Sequence, residues 1–201
     1  MLNKIILLDG KNDLIFINWL LEKIGLPFPS NVKIISVGGK SKFISYIDRN
    51  IIDKNKDKEN NVDYSDEEID SILIIKDFDI DDENNEFSQD IIRIKDSKIS
   101  LNVYYISGNK NPPNILETLL INNDGQLLKD FHTQIIDFNK PQLNKLAKVN
   151  DKNIFEAYLK LQTGRIEYTD DLLTQMFHND EFQSLPDIKS LIEKIQEFIK
   201  D

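Results

Sequence analysis

Three aspartates follow short apolar runs of the kind that form buried strands. Asp9 comes after the run at 5–8, and Asp77 and Asp79 come just after the run at 72–75. Carboxylate oxygens are the ligands that Mg²⁺ prefers, and a bound metal ion neutralises phosphoryl oxygens and activates water or a hydroxyl. If both runs belong to one sheet, these residues predict a divalent metal site. The alternative is that they are ordinary turn and cap residues, because Asp is common in turns.

A glycine turn follows another apolar run. Gly38 and Gly39 end this run, and they are followed by Lys40 and, two residues later, by Lys42. A glycine turn between a strand and a helix, with lysines beside it, suits an anion such as phosphate. It is not the P-loop of a nucleoside triphosphatase, because that motif needs a glycine at the position of Ile34. The alternative is a tight turn without a ligand, since glycine permits sharp turns of the backbone.

The elements that would position these residues alternate along the first half of the chain. The apolar runs lie at 5–8, 32–37, 72–75 and 101–106. Continuous apolar strands separated by helical patterns are typical of a parallel sheet with helices on both faces. Right-handed crossovers bring the carboxyl ends of the strands to one edge, where open α/β sheets bind ligands. We therefore predict that one edge of an α/β sheet is shared by Asp9, Gly38-Gly39, Asp77–Asp79 and Gly108.

The rest of the chain differs from these alternating elements. Residues 53–70 are dense in Asp, Glu, Asn and Lys, which predicts a solvated surface loop. After residue 114 the pattern is mostly helical, and the last helix carries an apolar stripe that is typical of packing on the domain. We predict a domain over 1–125, with an insertion loop at about 53–70, and a helical C-terminal extension over 126–201 packed on it.

Composition limits the classes of protein to which the chain can belong. It has 201 residues, with 25 Lys and Arg against 35 Asp and Glu, which gives a formal net charge of −10. A nucleic-acid coat protein needs clustered cations, so any nucleic-acid contact here has to be local or mediated by a metal ion. The absence of cysteine removes disulfides and thiolate zinc sites. No apolar run approaches the roughly 20 residues of a membrane helix, and we expect a cytoplasmic protein without membrane contact.

The residues at these strand ends resemble those of a Toprim domain. The resemblance is carried by residues 8–13 (LDGKND), 37–43 (VGGKSKF), 76–79 (KDFD) and 114–120 (NILETLL). In this order they are similar to the small stand-alone Toprim-related proteins of uncharacterised function, which are kin to OLD-type nucleases. The family has Glu at the position of Asp9 and Gly at the position of Asn114. The resemblance covers most of the chain, with the loop at about 53–70 as an insertion.

The resemblance implies a parallel sheet between helices with a Mg²⁺ site at its edge. Toprim enzymes include topoisomerases, primases and nucleases, so the implied chemistry is the making or breaking of phosphodiesters. Carried over to this chain, Asp9 takes the general acid/base position, and Asp77 and Asp79 take the metal-ligand positions. Asp13 matches the structural aspartate of the family, and Glu117 lies in the family's Leu-Glu element.

Together these features predict phosphodiester chemistry on nucleic acid that depends on Mg²⁺ or Mn²⁺. Asp9, Asp77 and Asp79 would hold the metal ion, with Asp9 also catalytic. Lys40 would also be catalytic, and it would hold phosphate at the turn formed by Gly38 and Gly39. The alternative is a Toprim-like module that binds nucleic acid, a nucleotide or a partner protein without turnover. The acidic charge favours this alternative, as does Asp9 in place of Glu, since a carboxylate displaced by about 1 Å can cost on the order of a hundredfold in rate.

Overall fold

The computed structural model describes residues 3–39, 42–52, 69–77, 94, 99–106, 126–139, 151–164, 167–176 and 186–200. The first half contains β1 (Lys4–Leu8), α1 (Lys11–Lys23), β2 (Val32–Ser36), α2 (Phe43–Ile47), β3 (Ser71–Asp77) and β4 (Ser100–Ile106), and a π-helical turn over Asp48–Ile52 continues α2. The second half contains α3 (Gln126–Asn139), α4 (Asp151–Thr163), α5 (Asp170–Met176) and α6 (Pro186–Lys200). None of these helices combines the length and apolar character that crossing a membrane requires. Apart from residues 69 and 70, the predicted insertion loop lies outside the described residues.

The four strands form one parallel sheet in the order β2-β1-β3-β4. Every residue of β1 is buried, which fits a strand with neighbours on both sides and helices on both faces. Parallel strands read as continuous apolar runs for this reason, because neither face meets solvent. The predicted α/β class, with a parallel sheet between helices and a helical C-terminal part, is confirmed.

Helices on the two faces of the sheet create two separate hydrophobic cores. The first core lies on the face where Ile6 and Leu8 of β1 pack with α1. The second core lies on the opposite face, where Leu7 of β1 packs with Phe43 and Ile47 of α2. This division follows from the strand itself, because successive side chains of a strand point to opposite faces. Each side chain near the end of a strand can therefore be assigned to one of the two cores.

The C-terminal helices complete the outer layer of the first core. Their buried side chains include Phe155 and Leu159 of α4, Leu173 of α5, and Leu191 and Ile195 of α6, all 1% exposed or less. The apolar stripe of the last helix is therefore buried within the fold. The first core joins residues from both sides of position 125, and the division into 1–125 and 126–201 stays a prediction.

Two polar side chains fix α6 against the sheet. Lys4, at the start of β1, is 4% exposed, and its Nζ donates to the carbonyl oxygens of Phe198 at 2.8 Å and Ile199 at 3.2 Å. The Tyr104 hydroxyl of β4 donates to Oγ of Ser190 at 3.1 Å, and burial raises the pKa of this hydroxyl. The lysine matters most, because the last carbonyls of a helix lack partners within it and form the negative end of the helix dipole.

Replacement of Lys4 by Met should destabilise the fold while leaving most of the packing intact. We expect Lys4→Met to lower the free energy of unfolding by about 2 kcal/mol, because hydrogen bonds from a buried charged donor are lost. Urea unfolding measures this change. The matched control is Lys200→Met, which removes an exposed lysine from the C-terminal end of α6. It should change the free energy of unfolding by no more than about 0.5 kcal/mol. Equal losses in the two variants would show that the buried cap does not stabilise α6.

Candidate functional site

Several of the residues predicted to bind metal or phosphate lie at the carboxyl ends of the strands. Asp9 follows Leu8, the last residue of β1, and Asp77 is the last residue of β3. These two strands are neighbours, with Leu8 paired to Ile75. Gly38 lies two residues beyond β2, on the other side of β1. All of these positions therefore lie at one edge of the sheet.

A topological switch point, where open α/β sheets form a crevice, lies between β1 and β3, because the connections after these two strands lie on opposite faces of the sheet. After β1 the chain forms α1, which lies in the first core. Between β3 and β4 it passes through Ile94, which is buried in the second core. Open α/β sheets bind ligands at such a switch point, outside the carboxyl ends of the two strands. Asp9 and Asp77 are at the ends of the two strands that flank this crevice.

The backbone of Asp9 is fixed by the turn that follows β2. Its carbonyl oxygen accepts hydrogen bonds from the backbone N–H of Gly38 at 2.9 Å and of Gly39 at 3.0 Å. The hydroxyl of Ser36 donates to the same oxygen at 3.4 Å. The side-chain atom Oδ1 of Asp9 is buried from solvent. The carboxylate is thus attached to a rigid piece of backbone, with at least one oxygen inside the protein.

The Gly38-Gly39 turn requires glycine at both positions. Gly38 has φ 78° and Gly39 has φ 134°, conformations that residues with a Cβ atom seldom adopt. Because both N–H groups donate to Asp9, they hold β2 to β1 in this arrangement and are not directed at a ligand. Sequence reasoning could not detect this, since it depends on β2 pairing with β1. Phosphate binding by the two glycines stays a prediction.

A lysine lies next to the glycine turn. The Nζ atom of Lys42 is 3.7 Å from the position that a Cβ atom would take at Gly38, and the side chain is exposed. Its backbone N–H donates to the carbonyl oxygen of Gly39 at 2.9 Å, which fixes the start of α2. Lys42 therefore places an exposed positive charge at the sheet edge. Lys40, the lysine predicted to hold phosphate, lies outside the described residues.

Asp13 closes the start of α1 directly after Asp9. Its Oδ2 atom accepts the backbone N–H of Gly10 at 2.7 Å, and Gly10 is the N-cap of α1. A carboxylate at this position satisfies a helix N–H that has no partner in the helix and interacts favourably with the helix dipole. The turn from Asp9 into α1 is therefore held on the α1 side as well as on the β2 side.

The C-terminal part of the chain also contacts the start of α1. Oδ1 of Asn12 accepts the backbone N–H of Tyr168 at 3.1 Å, and Nζ of Lys11 lies 3.0 Å from Oε1 of Glu167. The ion pair is exposed and contributes little to stability. Together the two contacts place the segment before α5 beside the first turn of α1, next to the sheet edge.

Lys76 is a buried cation at the same edge that sequence reasoning did not assign to the site. It precedes Asp77 in β3 and is only 3% exposed, and its Nζ atom lies 6.0 Å from the ring centre of Tyr105 on β4. Lysine is almost never fully buried without a partner, so residue type alone gives no indication that this side chain lies inside the protein. The signal that could have identified it is strand alternation, which puts residue 76 on a buried face.

The structure describes only part of the predicted site. The side chain of Asp77 and all of Asp79, Lys40, Gly108 and Glu117 lie outside the described residues. Among the acidic and histidine side chains that are described, no three come together as a possible metal site. The metal site and the roles of these residues stay predictions.

Comparison with known proteins gives a weak structural likeness. The chain is similar to the C-terminal region of the Xanthomonas campestris pv. campestris OLD protein, with 16% sequence identity and a TM-score of 0.46, covering 99% of this chain and 94% of that one. No protein-family model matches the sequence, and no curated protein matches it either. The comparisons assign no family to the chain, so its function has to be argued from the sheet edge itself.

Proposed function

We propose that the chain is a metal-dependent enzyme that cleaves or transfers phosphodiester bonds of nucleic acid at the edge between β1 and β3. The observation that carries this proposal is the position of Asp9 and Asp77, which end neighbouring parallel strands on the two sides of the switch point. Ligand sites of open α/β sheets form at such places. Two carboxylates there favour a ligand that brings positive charge.

A divalent ion such as Mg²⁺ or Mn²⁺ fits the donors that this edge offers. In this proposal the side chains of Asp9, Asp77 and Asp79 would supply the carboxylate oxygens, because hard cations prefer oxygen ligands. Oδ1 of Asp9 is buried from solvent, so this carboxylate is held in place by the protein around it. A bound ion would supply neutralisation of the phosphoryl oxygens and a more acidic bound water.

The chain's own residues have three tasks in this reaction. Asp9 accepts or donates a proton at its carboxylate, and the hydrogen bonds of Gly38 and Gly39 to its carbonyl oxygen keep that carboxylate in place. A positioned general acid or base of this kind contributes typically 10²–10⁴-fold to the rate. Lys42, exposed beside Gly38, binds a backbone phosphate of the nucleic acid. The C-terminal segment at Tyr168 lies beside the first turn of α1 and bounds the proposed site on that side.

A Toprim-like module that binds a nucleic acid, a nucleotide or a partner protein without turnover is the second candidate. It is favoured by the glycine turn, because both N–H groups are already used by the carbonyl oxygen of Asp9. A turn whose N–H groups are already used supplies no preorganised backbone donors to the developing charge of a transition state, which weighs against turnover. The net charge of −10 opposes the approach of a polyanion, which weighs against a nucleic-acid substrate and, within the second candidate, favours a partner protein.

Nuclease assays with defined metals separate the two candidates. Wild type and Asp77→Ala are incubated with single-stranded and double-stranded DNA and RNA, in Mg²⁺, in Mn²⁺ and in chelator. We expect cleavage in the wild type that needs metal and falls by about a hundredfold or more in Asp77→Ala. Asp171→Ala, which removes an exposed carboxylate of α5, is the control and should cleave as the wild type does. Cleavage that survives Asp77→Ala, or no cleavage in any condition, would contradict the proposal.

A further inference from the structure

Four residues form one row across the carboxyl edge of the sheet, on the face of the second core. In the row before it, Leu7 pairs with Ile35 and with Ile74, and all three pack in the second core. Two residues further along, strand alternation puts position 9, directly after β1, and position 76 of β3 on the same face. Lys76 is paired with Tyr105 of β4. The row is therefore Val37, Asp9, Lys76, Tyr105.

An acid and a base thus occupy neighbouring positions of this row. The pairing of β1 with β3 ends at Leu8 and Ile75, where adjacent strands lie ~4.8 Å apart, and Asp9 and Lys76 are the next residue of each chain segment. Lys76 is 3% exposed, and Oδ1 of Asp9 is buried as well. A charged group taken out of water is costly unless an opposite charge lies close to it. At a few ångströms and low dielectric, the attraction between the two charges is large.

We propose that Lys76 is the buried counter-charge of Asp9 and the positioning residue of the edge site. It fixes the carboxylate of Asp9 in the absence of metal and lowers the net negative charge of the crevice. The ring of Tyr105, 6.0 Å from Nζ, holds the ammonium group on its other side. Because Lys76 is almost completely buried, it acts on the reaction through Asp9 and does not touch the substrate.

Two opposite effects on stability follow from this arrangement. Loss of either charge leaves the other one buried without its counter-charge, which destabilises the metal-free protein. Loss of the lysine also removes a positive charge that repels an incoming divalent ion, so that metal binds more tightly and stabilises more. A lysine that merely filled space would produce the first effect and not the second.

A double-mutant cycle in chelator tests the charge pairing. The proteins are wild type, Asp9→Asn, Lys76→Met and the double variant, each melted in metal-free buffer. We expect each single change to lower Tm by about 6 °C or more, and the double variant to melt within about 3 °C of the wild type. Additive losses would overturn the proposal. If Lys76→Met alone does not fold, recovery of folding in the double variant supports the pairing, and a double variant that also fails to fold overturns it.

The matched control replaces another lysine of the sheet. Lys33 of β2 is exposed, so Lys33→Met should change Tm little and should show no coupling with Asp9→Asn. Coupling of equal size at Lys33 would mean that the cycle reports the overall charge of the protein, and it would overturn the pairing.

A second measurement addresses metal binding, and this part rests on the proposed function. At saturating Mg²⁺, Lys76→Met should gain more in Tm, relative to its own value in chelator, than the wild type gains. Equal metal shifts would overturn the role of Lys76 at the metal site. If no variant responds to metal while the cycle shows coupling, the proposed metal chemistry fails and the pairing of Lys76 with Asp9 is supported.

Discussion

Asp9→Asn is expected to reduce the turnover of a nucleic-acid substrate by about 10²–10⁴-fold, the usual contribution of a positioned general acid or base. The amide has nearly the shape of the carboxylate but cannot exchange a proton at the same position. The fold around it should persist, because Gly38 and Gly39 bind the backbone carbonyl of residue 9 and not its side chain. Single-turnover cleavage in Mg²⁺ measures the effect.

The paired variant Asp9→Asn/Lys76→Met is the control for stability in that experiment. If the two charges compensate each other, this double variant recovers the Tm lost in Asp9→Asn without recovering turnover. If the double variant recovered turnover together with Tm, the loss of activity in Asp9→Asn would be due to its lower stability alone. The two measurements therefore separate a catalytic role of Asp9 from a structural one.

Asp9→Glu tests the length of the side chain. The Toprim family has Glu at this position, and the extra methylene moves the carboxylate by about 1 Å, which can change a rate on the order of a hundredfold. We expect the change to alter turnover and to leave the metal-induced shift in Tm nearly intact. Activity gained from an inert wild type would show a site that the shorter side chain has disabled. If wild type, Asp9→Asn and Asp9→Glu are equally inert with all nucleic acids and metals, the enzyme proposal is wrong and the binding module remains.

Much of the fold could be predicted from the sequence because the relevant signals are local. The run at 5–8 and its three counterparts are continuous and apolar, which indicates parallel strands, and the sheet has this form. Lys4 shows the limit of such signals. It directly precedes the first run, and its Nζ atom donates to the carbonyl oxygen of Phe198 in α6, which lies 194 residues further along the chain. Contacts of that separation depend on how the layers pack, and a local pattern does not contain them.

For the candidate site, the sequence predicted which residues lie at the ends of strands but not which residues contact one another there. The sequence placed Asp9, Asp77 and the glycine turn at one edge, since that follows from parallel topology alone. It did not show that the N–H groups of Gly38 and Gly39 bind the carbonyl of Asp9, because this requires β1 and β2 to be neighbours. It also did not identify Lys76. That residue is next to Asp9 only because β1 and β3 are neighbours in the sheet, and the local sequence of neither strand determines this order.

Mg²⁺ is expected to raise the Tm of the wild type by roughly 5–10 °C at about 100 times its Kd. A ligand that binds only the folded state stabilises it by about 2.7 kcal/mol at that concentration, and each kcal/mol corresponds to roughly 2–4 °C in a chain of this size. Asp77→Asn should lose most of this shift, because the amide is a much weaker ligand than the carboxylate. In chelator the same variant should melt above the wild type, since the proposed site would then hold one negative charge fewer.

Asp171→Asn is the matched control, because it removes an exposed carboxylate of α5 from a different part of the fold. Its metal-induced shift in Tm should equal that of the wild type, whatever its own stability in chelator. The combination that identifies the edge site is a lost metal response and a higher metal-free Tm in Asp77→Asn, with neither change in Asp171→Asn. Equal metal shifts in the wild type and Asp77→Asn would show that the ion binds elsewhere. In that case no metal would bind at the carboxyl ends of β1 and β3, and the proposal of metal-dependent cleavage of a phosphodiester at this edge would be wrong.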